Sequence, residues 1–288
     1  MIEYTQYKTL SEEYVRGKIQ QFLEEDIPKG DITTISTVPS DSCSVAEFQA
    51  VEEMVFSGEY VIPFSFSKKC ETEMFVSDGE KLSKGQKIAT VKGPSSEILS
   101  RERTVLNLIQ RLCGIATLTR KYTKIAEGHP VKILDTRKTT PGLRMFEKYA
   151  VTAGGGFNHR LNLSSGILIK DNHLQSAGSV EKAILLSKQQ EFDLPVELEV
   201  DTIEQIKEGL KAGVDGFLLD NMSPETTKEA VSIIRNYTNG NKIFIESSGG
   251  INLQTLACYL ETGINAVSIG ALTHSARGMD IRLEFISK

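Results

Sequence analysis

The densest run of reactive residue types in the chain is Asp135-Thr136-Arg137-Lys138-Thr139-Thr140-Pro141-Gly142-Leu143-Arg144. A guanidinium grips a carboxylate or phosphate through two bonds and an ammonium adds a point charge, so adjacent cations followed by hydroxyls and a Pro-Gly turn suit an anion. Gly154-Gly155-Gly156-Phe157-Asn158-His159-Arg160 brings a second cationic pair behind three glycines, where bare backbone can approach a ligand. Lys170 ends the apolar run Ile167-Leu168-Ile169 and precedes Asp171-Asn172-His173. A lysine in that place is a Schiff-base nucleophile, an anion ligand or a snorkelling surface residue. The polar cluster after it argues against the surface role, and the nearby cations favour a charged anion ligand over a nucleophile. Glu199 and Asp220 are isolated acids after apolar runs, suited to ribose hydroxyls, to Mg²⁺ or to a positive centre, unless they are paired structural carboxylates. Ser248-Gly249-Gly250 and Gly270-Ala271 offer backbone N–H groups to a phosphate. His159 and His274 lie within these motifs, His129 sits in a Gly-His-Pro turn, and none has metal-ligand spacing.

These residues need elements to hold them, and the sequence supplies a repeating theme. From Val131 onward, short apolar or β-branched runs (131–134, 167–169, 196–200, 216–219, 243–245 and 266–269) alternate with helical patterns. Ile203 to Ala212 closes on Gly213, and Pro224 to Tyr237 opens on Ser223 as a cap. The runs are too short for helices and continuous enough for buried parallel strands. Lys138, Lys170, Glu199, Asp220, Ser248 and Gly270 all fall at or just beyond strand C-terminal ends, which a barrel gathers around one mouth. The expected fold class is therefore α/β, a barrel rather than an open doubly wound sheet, which would concentrate ligand contacts at its switch point; with six clear strands rather than eight, either closure is incomplete or a strand is missed.

The first hundred residues differ. Ser11 to Glu25 has a helical apolar period, and Val45 to Val91 reads as short strands with turns at Asp78-Gly79, Lys84-Gly85 and Lys92-Gly93. Residues 76–89 look like the half-barrel of biotinyl or lipoyl carriers, but no modifiable lysine on an exposed hairpin is evident, which leaves a structural module. Leu99 to Tyr122 is a long helical pattern linking the two parts. The expected division is a smaller N-terminal α+β domain, a β-rich module plus helices, over 1–112 and an α/β barrel over 113–288, with the extreme C-terminus packing back on the N-terminal domain.

Charge narrows the ligand. The 288 residues carry 33 Lys+Arg against 38 Asp+Glu, a net −5, yet residues 101–173 hold 13 cations against 5 acids, so that segment is +8 and the remainder −13. One basic segment in an acidic chain suits a compact polyanion more than a nucleic acid. Composition, at 25% charged and 40% hydrophobic, excludes disordered, collagenous and disulfide-scaffold classes. Four scattered cysteines without a CxxC pair argue against zinc and fit a reducing compartment. No run approaches the roughly 18 apolar residues of a membrane span, and the start lacks a signal-peptide core, so a soluble, cytoplasmic protein is expected.

In combination, Glu102-Arg103-Thr104, Gly114-Ile115-Ala116-Thr117, Asp135 to Gly142, Asn158-His159-Arg160, Leu168 to His173, Leu219-Asp220-Asn221-Met222 and Ser268 to Ser275 closely resemble the quinolinate phosphoribosyltransferase family, also called nicotinate-nucleotide pyrophosphorylases. Glu25-Asp26, Gly30 to Thr34 and Ser57-Gly58 extend the likeness to the N-terminal region. The resemblance implies transfer of phosphoribosyl from phosphoribosyl pyrophosphate to quinolinate with Mg²⁺, giving nicotinate mononucleotide, pyrophosphate and CO₂. It implies an incomplete TIM-like α/β barrel with a smaller N-terminal α+β sandwich-like domain, working as a homodimer or a higher assembly such as a hexamer, with no nucleic acid or membrane as partner. By the same resemblance, Arg137, His159, Arg160 and Lys170 bind quinolinate, Arg103 arrives from the other subunit, and Lys138 reaches the pyrophosphate or the quinolinate. Glu199 and Asp220 face the ribose and Mg²⁺, while Ser248, Gly249, Gly250, Gly270 and Ala271 take the 5′-phosphate. Thr136, Ile269 and His274 complete the substrate-binding set, and Lys138, Lys170, Glu199 and Asp220 are the implied catalytic residues. Ser164-Ser165, where the family has a Tyr-Asp pair, and Val51, near which an arginine is common, depart from its pattern. The competing readings, a molybdenum-transport-associated accessory protein on the same fold and a Schiff-base aldolase using Lys170, fit the full cationic set less well.

Overall fold

The computed structural model describes residues 2–190 and 192–286. Its strands are β1 (Cys43–Ala50), β2 (Met54–Val55), β3 (Glu71–Met74), β4 (Lys81–Leu82), β5 (Lys87–Pro94), β6 (Lys132–Leu134), β7 (Ile167–Ile169), β8 (Val196–Val200), β9 (Gly216–Asp220), β10 (Phe244–Ser248), β11 (Ala266–Ser268) and β12 (Ile281–Ile286). The helices are α1 (Glu12–Asp26), α2 (Ile32–Thr37), α3 (Val61–Phe64), α4 (Ser95–Ile125), α5 (Arg144–Ala153), α6 (Asp171–Ala177), α7 (Val180–Lys188), α8 (Ile203–Ala212), α9 (Pro224–Arg235), α10 (Leu256–Leu260) and α11 (Ala271–His274).

Compactness does not divide the chain at one point, as the expected 1–112 and 113–288 do. One unit comprises residues 1–6, 121–144 and 156–274, and the other 7–120, 145–155 and 275–288. The reason lies in two returns of the chain: α5 contributes to the second unit, and so does the C-terminal strand β12, which pairs antiparallel with β1 from Val45↔Ile286 to Ala50↔Ile281. Ser287 and Lys288, the end of the expected C-terminal return, lie outside the described residues.

The first unit holds a six-stranded parallel sheet in the order β6-β11-β10-β9-β8-β7. Its strands are buried on both faces, with Leu198, Phe217, Leu219, Ile245 and Val267 at 0% exposure, which is why they read as continuous apolar runs. The end strands β6 and β7 do not pair with each other. Beyond β6 the sheet gains one parallel bridge, Leu134↔Phe157, so the barrel is incomplete. Register brings the strand ends level: Ser268 is opposite Leu134 and Ser248, and Ser248 is opposite Asp220. The caps fall where sequence rules place them, with the Ser223 side chain accepting the Thr226 N–H at the start of α9 and Gly213 left-handed after α8.

The second unit is built on the sheet β12-β1-β5-β3. Ala46, Phe48 and Ala50 alternate inward along β1, the period-two pattern of a half-buried strand. The expected turn at Lys92-Gly93 is instead strand, since β5 runs from Lys87 to Pro94. Gly93 serves close packing there: a Cβ at that position would lie 2.5 Å from Cys70 Sγ. The helical pattern of Leu99 to Tyr122 is one 31-residue helix, α4.

Candidate active site

The C-terminal ends of the parallel strands open onto a cavity of about 580 Å³. Eleven of the sequence-derived site residues line it: Thr136, Arg137 and Lys138 after β6, His159 and Arg160, Lys170 after β7, Glu199 of β8, Asp220 of β9, and Ser248, Gly249 and Gly250 at the end of β10. Leu168, Leu218, Asn221, Glu246 and Ser268 also line it.

One wall is crowded with cations. Burial first, and then the neighbouring Arg137, lower the Arg160 guanidinium below its usual range. Arg160 Nη1 donates to Gly166 O at 2.8 Å, which aims the guanidinium. Arg137 Nε is buried without a hydrogen-bond partner among the described residues. A buried guanidinium beside a half-buried one is costly unless an anion meets both.

Acids line the cavity at the ends of β8 and β9. The register that sets Ile169 opposite Leu198 brings Lys170 level with Glu199, and Lys170 Nζ ion-pairs with Glu199 Oε2. Asp220 accepts a hydrogen bond from Asn221 Nδ2 at 2.8 Å. The oxygen donors of Glu199, Asp220 and Asn221 are hard ligands of the kind Mg²⁺ takes alongside substrate phosphates. Gly249 and Gly250 both adopt positive φ, +92° and +65°, leaving a backbone loop without side chains beside the cavity.

Five other expected residues are placed differently. Ile269 is core, at 2% exposure. Gly270 abuts the stem of Lys138, a Cβ there lying 2.9 Å from Lys138 Cδ. Ala271 and His274 begin and end α11, whose Thr273 hydroxyl donates to Lys138 O at 2.7 Å. Arg103 is exposed on α4, outside the cavity lining, with no hydrogen bond or ion pair among the described residues. The Gly154-Gly155-Gly156 run, read as a ligand approach, does other work. A Cβ on Gly154 would stand 2.5 Å from Thr119 Cβ and 2.6 Å from Ala116 O, so this glycine lets α5 end against α4. Other cations of the basic segment are structural too: Arg111 bonds buried Glu147 at 2.9 Å, and Arg120 donates to Gly154 O at 3.0 Å.

His159 and Glu246, which both line the cavity, meet Glu197 in a cluster whose two acids the sequence reading missed. His159 Nε2 is 3.6 Å from Glu197 Oε2 and 3.5 Å from Glu246 Oε2, and both acids are fully buried. Burial pushes the Glu246 carboxyl up to about 7, His159 pulling it down and Glu197 pushing it further up. Tyr4 Oη donates to Glu197 Oε2 at 2.9 Å, and His159 Nδ1 accepts the Arg160 N–H at 2.7 Å. Tyr4 and the Arg160 amide thus anchor one Glu197 oxygen and one His159 ring nitrogen. The cluster's signal was present in Val196-Glu197-Leu198-Glu199-Val200 and Phe244-Ile245-Glu246, acids inside buried strands that must find partners.

Residues 31–113 match the quinolinate phosphoribosyl transferase N-terminal domain and residues 115–284 its C-terminal domain. The chain is 43% identical to a probable nicotinate-nucleotide pyrophosphorylase [carboxylating] of Bacillus subtilis, over 92% of this chain and 91% of that protein. It is 38% identical to the mitochondrial quinolinate phosphoribosyltransferase [decarboxylating] 2a of Nicotiana tabacum, over 94% of this chain and 82% of that protein. The solved nicotinate-nucleotide pyrophosphorylase of Francisella tularensis superposes with a TM-score of 0.89 at 34% identity, covering 99% of this chain and 100% of that one. With both domains matched in order, and with cations and acids facing one cavity at the strand ends, the chain belongs to the quinolinate phosphoribosyltransferase family.

Proposed function

We propose that the cavity joins quinolinate to phosphoribosyl pyrophosphate with loss of CO₂, yielding nicotinate mononucleotide and pyrophosphate for NAD synthesis. The observation that carries this reading is that buried Arg160 and half-buried Arg137 line the same cavity close enough to repel each other. Quinolinate has two adjacent carboxylates, and two guanidiniums gripping them relieve repulsion on both sides. Lys138 and Lys170 add charge for the pyrophosphate and the ring carboxylates, and Gly249 and Gly250 present backbone to the 5′-phosphate.

The chemistry follows from placement. The pyridine nitrogen forms a bond to ribose C1′ as the bond to pyrophosphate breaks, and positive charge develops on the ribosyl centre. Glu199 and Asp220 stand at adjacent strand ends to stabilise that charge and to hold the ribose hydroxyls. Mg²⁺, carried with phosphoribosyl pyrophosphate, would be held by Glu199 and Asp220 and would supply neutralisation of the leaving pyrophosphate. CO₂ then leaves C2, whose electron pair is stabilised by the adjacent pyridinium nitrogen until it takes a proton. No covalent enzyme intermediate is needed, and rate comes from positioning and electrostatics.

A second copy of the chain completes the site. Arg103, exposed and unpaired on α4, is the residue it contributes to the quinolinate carboxylates. Purified protein mixed with quinolinate, phosphoribosyl pyrophosphate and Mg²⁺ is expected to release CO₂ and pyrophosphate in equal amounts. No CO₂ release with all three present overturns the reading.

A further inference from the structure

The N-terminal residues 2–6 are part of the barrel unit rather than of the unit that follows them. Ile2, 4% exposed, clusters with Leu134, Phe244 and Ala266. Gln6 grips the backbone of Asn158 from both sides, its Oε1 accepting the Asn158 N–H at 2.8 Å and its Nε2 donating to Asn158 O at 3.1 Å. Tyr4 lies between these anchors, its ring stacked on His159 with centroids 4.4 Å apart and planes 22° from parallel. Its hydroxyl donates to Glu197 Oε2.

His159 is thereby held on every side. Its backbone N–H donates to Asp135 Oδ1 at 2.8 Å. Its Nδ1 accepts the Arg160 N–H, which places the ring proton on Nε2, toward Glu197 and Glu246. Both ring nitrogens thus face protein groups, and the residue after it, Arg160, is the one whose guanidinium meets the cavity. Glu246 is fully buried beside His159 and Ser268, and Oε1 of Glu197 is buried without a hydrogen-bond partner among the described residues. The Tyr4 phenol is the donor that reaches Oε2 of Glu197. Burial, with Glu197 and Glu246 beside it, raises the Tyr4 phenol above its ordinary range, so it remains a donor.

We infer that Tyr4 is a positioning residue for the quinolinate subsite, acting through His159 and Glu197 to fix the ring that orients Arg160. This rests on the proposed function and extends it to a residue far from the strand ends in sequence. The bond from the Tyr4 hydroxyl to Glu197 is one buried hydrogen bond, and its loss acts on the subsite rather than on the phosphate loop after β10.

The test compares full-length wild type with Tyr4→Phe, which keeps the stack and removes the hydroxyl, and with Tyr4→Leu, which removes both. Steady-state KM for each substrate and quinolinate affinity by calorimetry are measured beside thermal melts. The expected result is a quinolinate KM raised about 5-fold in Tyr4→Phe, the scale of one such bond, and raised further in Tyr4→Leu. The KM for phosphoribosyl pyrophosphate is expected to stay within about twofold of wild type, because the loop after β10 is untouched. An unchanged quinolinate KM in Tyr4→Phe, or equal rises for both substrates, overturns the inference. If Tyr4→Leu fails to fold, Tyr4→Phe decides alone. Wild type that neither binds quinolinate nor turns it over would instead sink the functional reading, so the two failures are distinct.

Discussion

Lys170 Nζ is ion-paired with Glu199 Oε2 across the ends of neighbouring strands, so the cations and acids of the cavity touch at this point. A lysine committed to a carboxylate is poised as a charge rather than as a carbonyl nucleophile. Lys170→Met and Glu199→Gln should each lower kcat/KM by about tenfold or more, and the double variant should fall short of the product of the two, as coupled residues do. Steady-state kinetics of the four proteins checks this; multiplicative losses would mean that the pair has no joint role.

Gly249 is held at φ +92°, and a Cβ there would lie 2.2 Å from Asn221 Oδ1. Gly249→Ala should strain the loop by about 1 to 3 kcal/mol, which is about tenfold or more in the KM for phosphoribosyl pyrophosphate. The quinolinate KM should hardly move, and initial-rate measurements with each substrate varied in turn would show the split.

If Arg103 serves a neighbouring subunit, Arg103→Ala and Lys170→Ala proteins, each inactive alone, should regain activity when unfolded together and refolded. Random pairing into symmetric dimers leaves about a quarter of the sites intact. Recovery near that fraction supports a shared site, and no recovery places Arg103 elsewhere.

Glu246 links pH to stability. Its carboxyl rises from 4.5 to about 7 on folding, chiefly through burial. The unfolded chain gives up this proton first, so the group's contribution is fully present at low pH and is lost as pH rises through about 7. Glu246→Gln should remove that slope, and its melting temperature relative to wild type should climb between about pH 4.5 and 7.

Gly154→Ala tests a structural role. The added methyl meets Thr119 and the Ala116 carbonyl, and overpacking of this kind costs about 1 to 3 kcal/mol. A lower melting temperature with unchanged KM values is expected; the reverse pattern would return the glycine run to ligand binding.

The strands and caps of the barrel unit were legible because each carries a local rule: β-branched runs bounded by polar residues, Ser223-Pro224 opening α9, Gly213 closing α8. The reactive residues at strand ends were legible for the same reason. Close approaches were not, since Gly93 and Gly154 resemble turn or ligand glycines until the opposing Cys70 and Thr119 are in place. Glu197 and Glu246 were visible as letters, but their partners Tyr4 and His159 come from distant sequence. Residues 2–6 carry only a weak alternation of Ile2, Tyr4 and Gln6, too short to announce where it docks.

The pairing of β1 with β12 sets a timetable. Cys43–Ala50 are made long before Ile281–Ile286, so one edge of β1 stays unsatisfied until those later residues follow. The barrel unit has a similar gap: Ile2 is made long before its neighbours Phe244 and Ala266. Neither unit can close until these later segments are made, and long-range closure of this kind is slow and prone to association through open edges. Fragments cut at residue 113 or 115 should therefore be sticky and poorly folded, even though each contains a whole sequence domain.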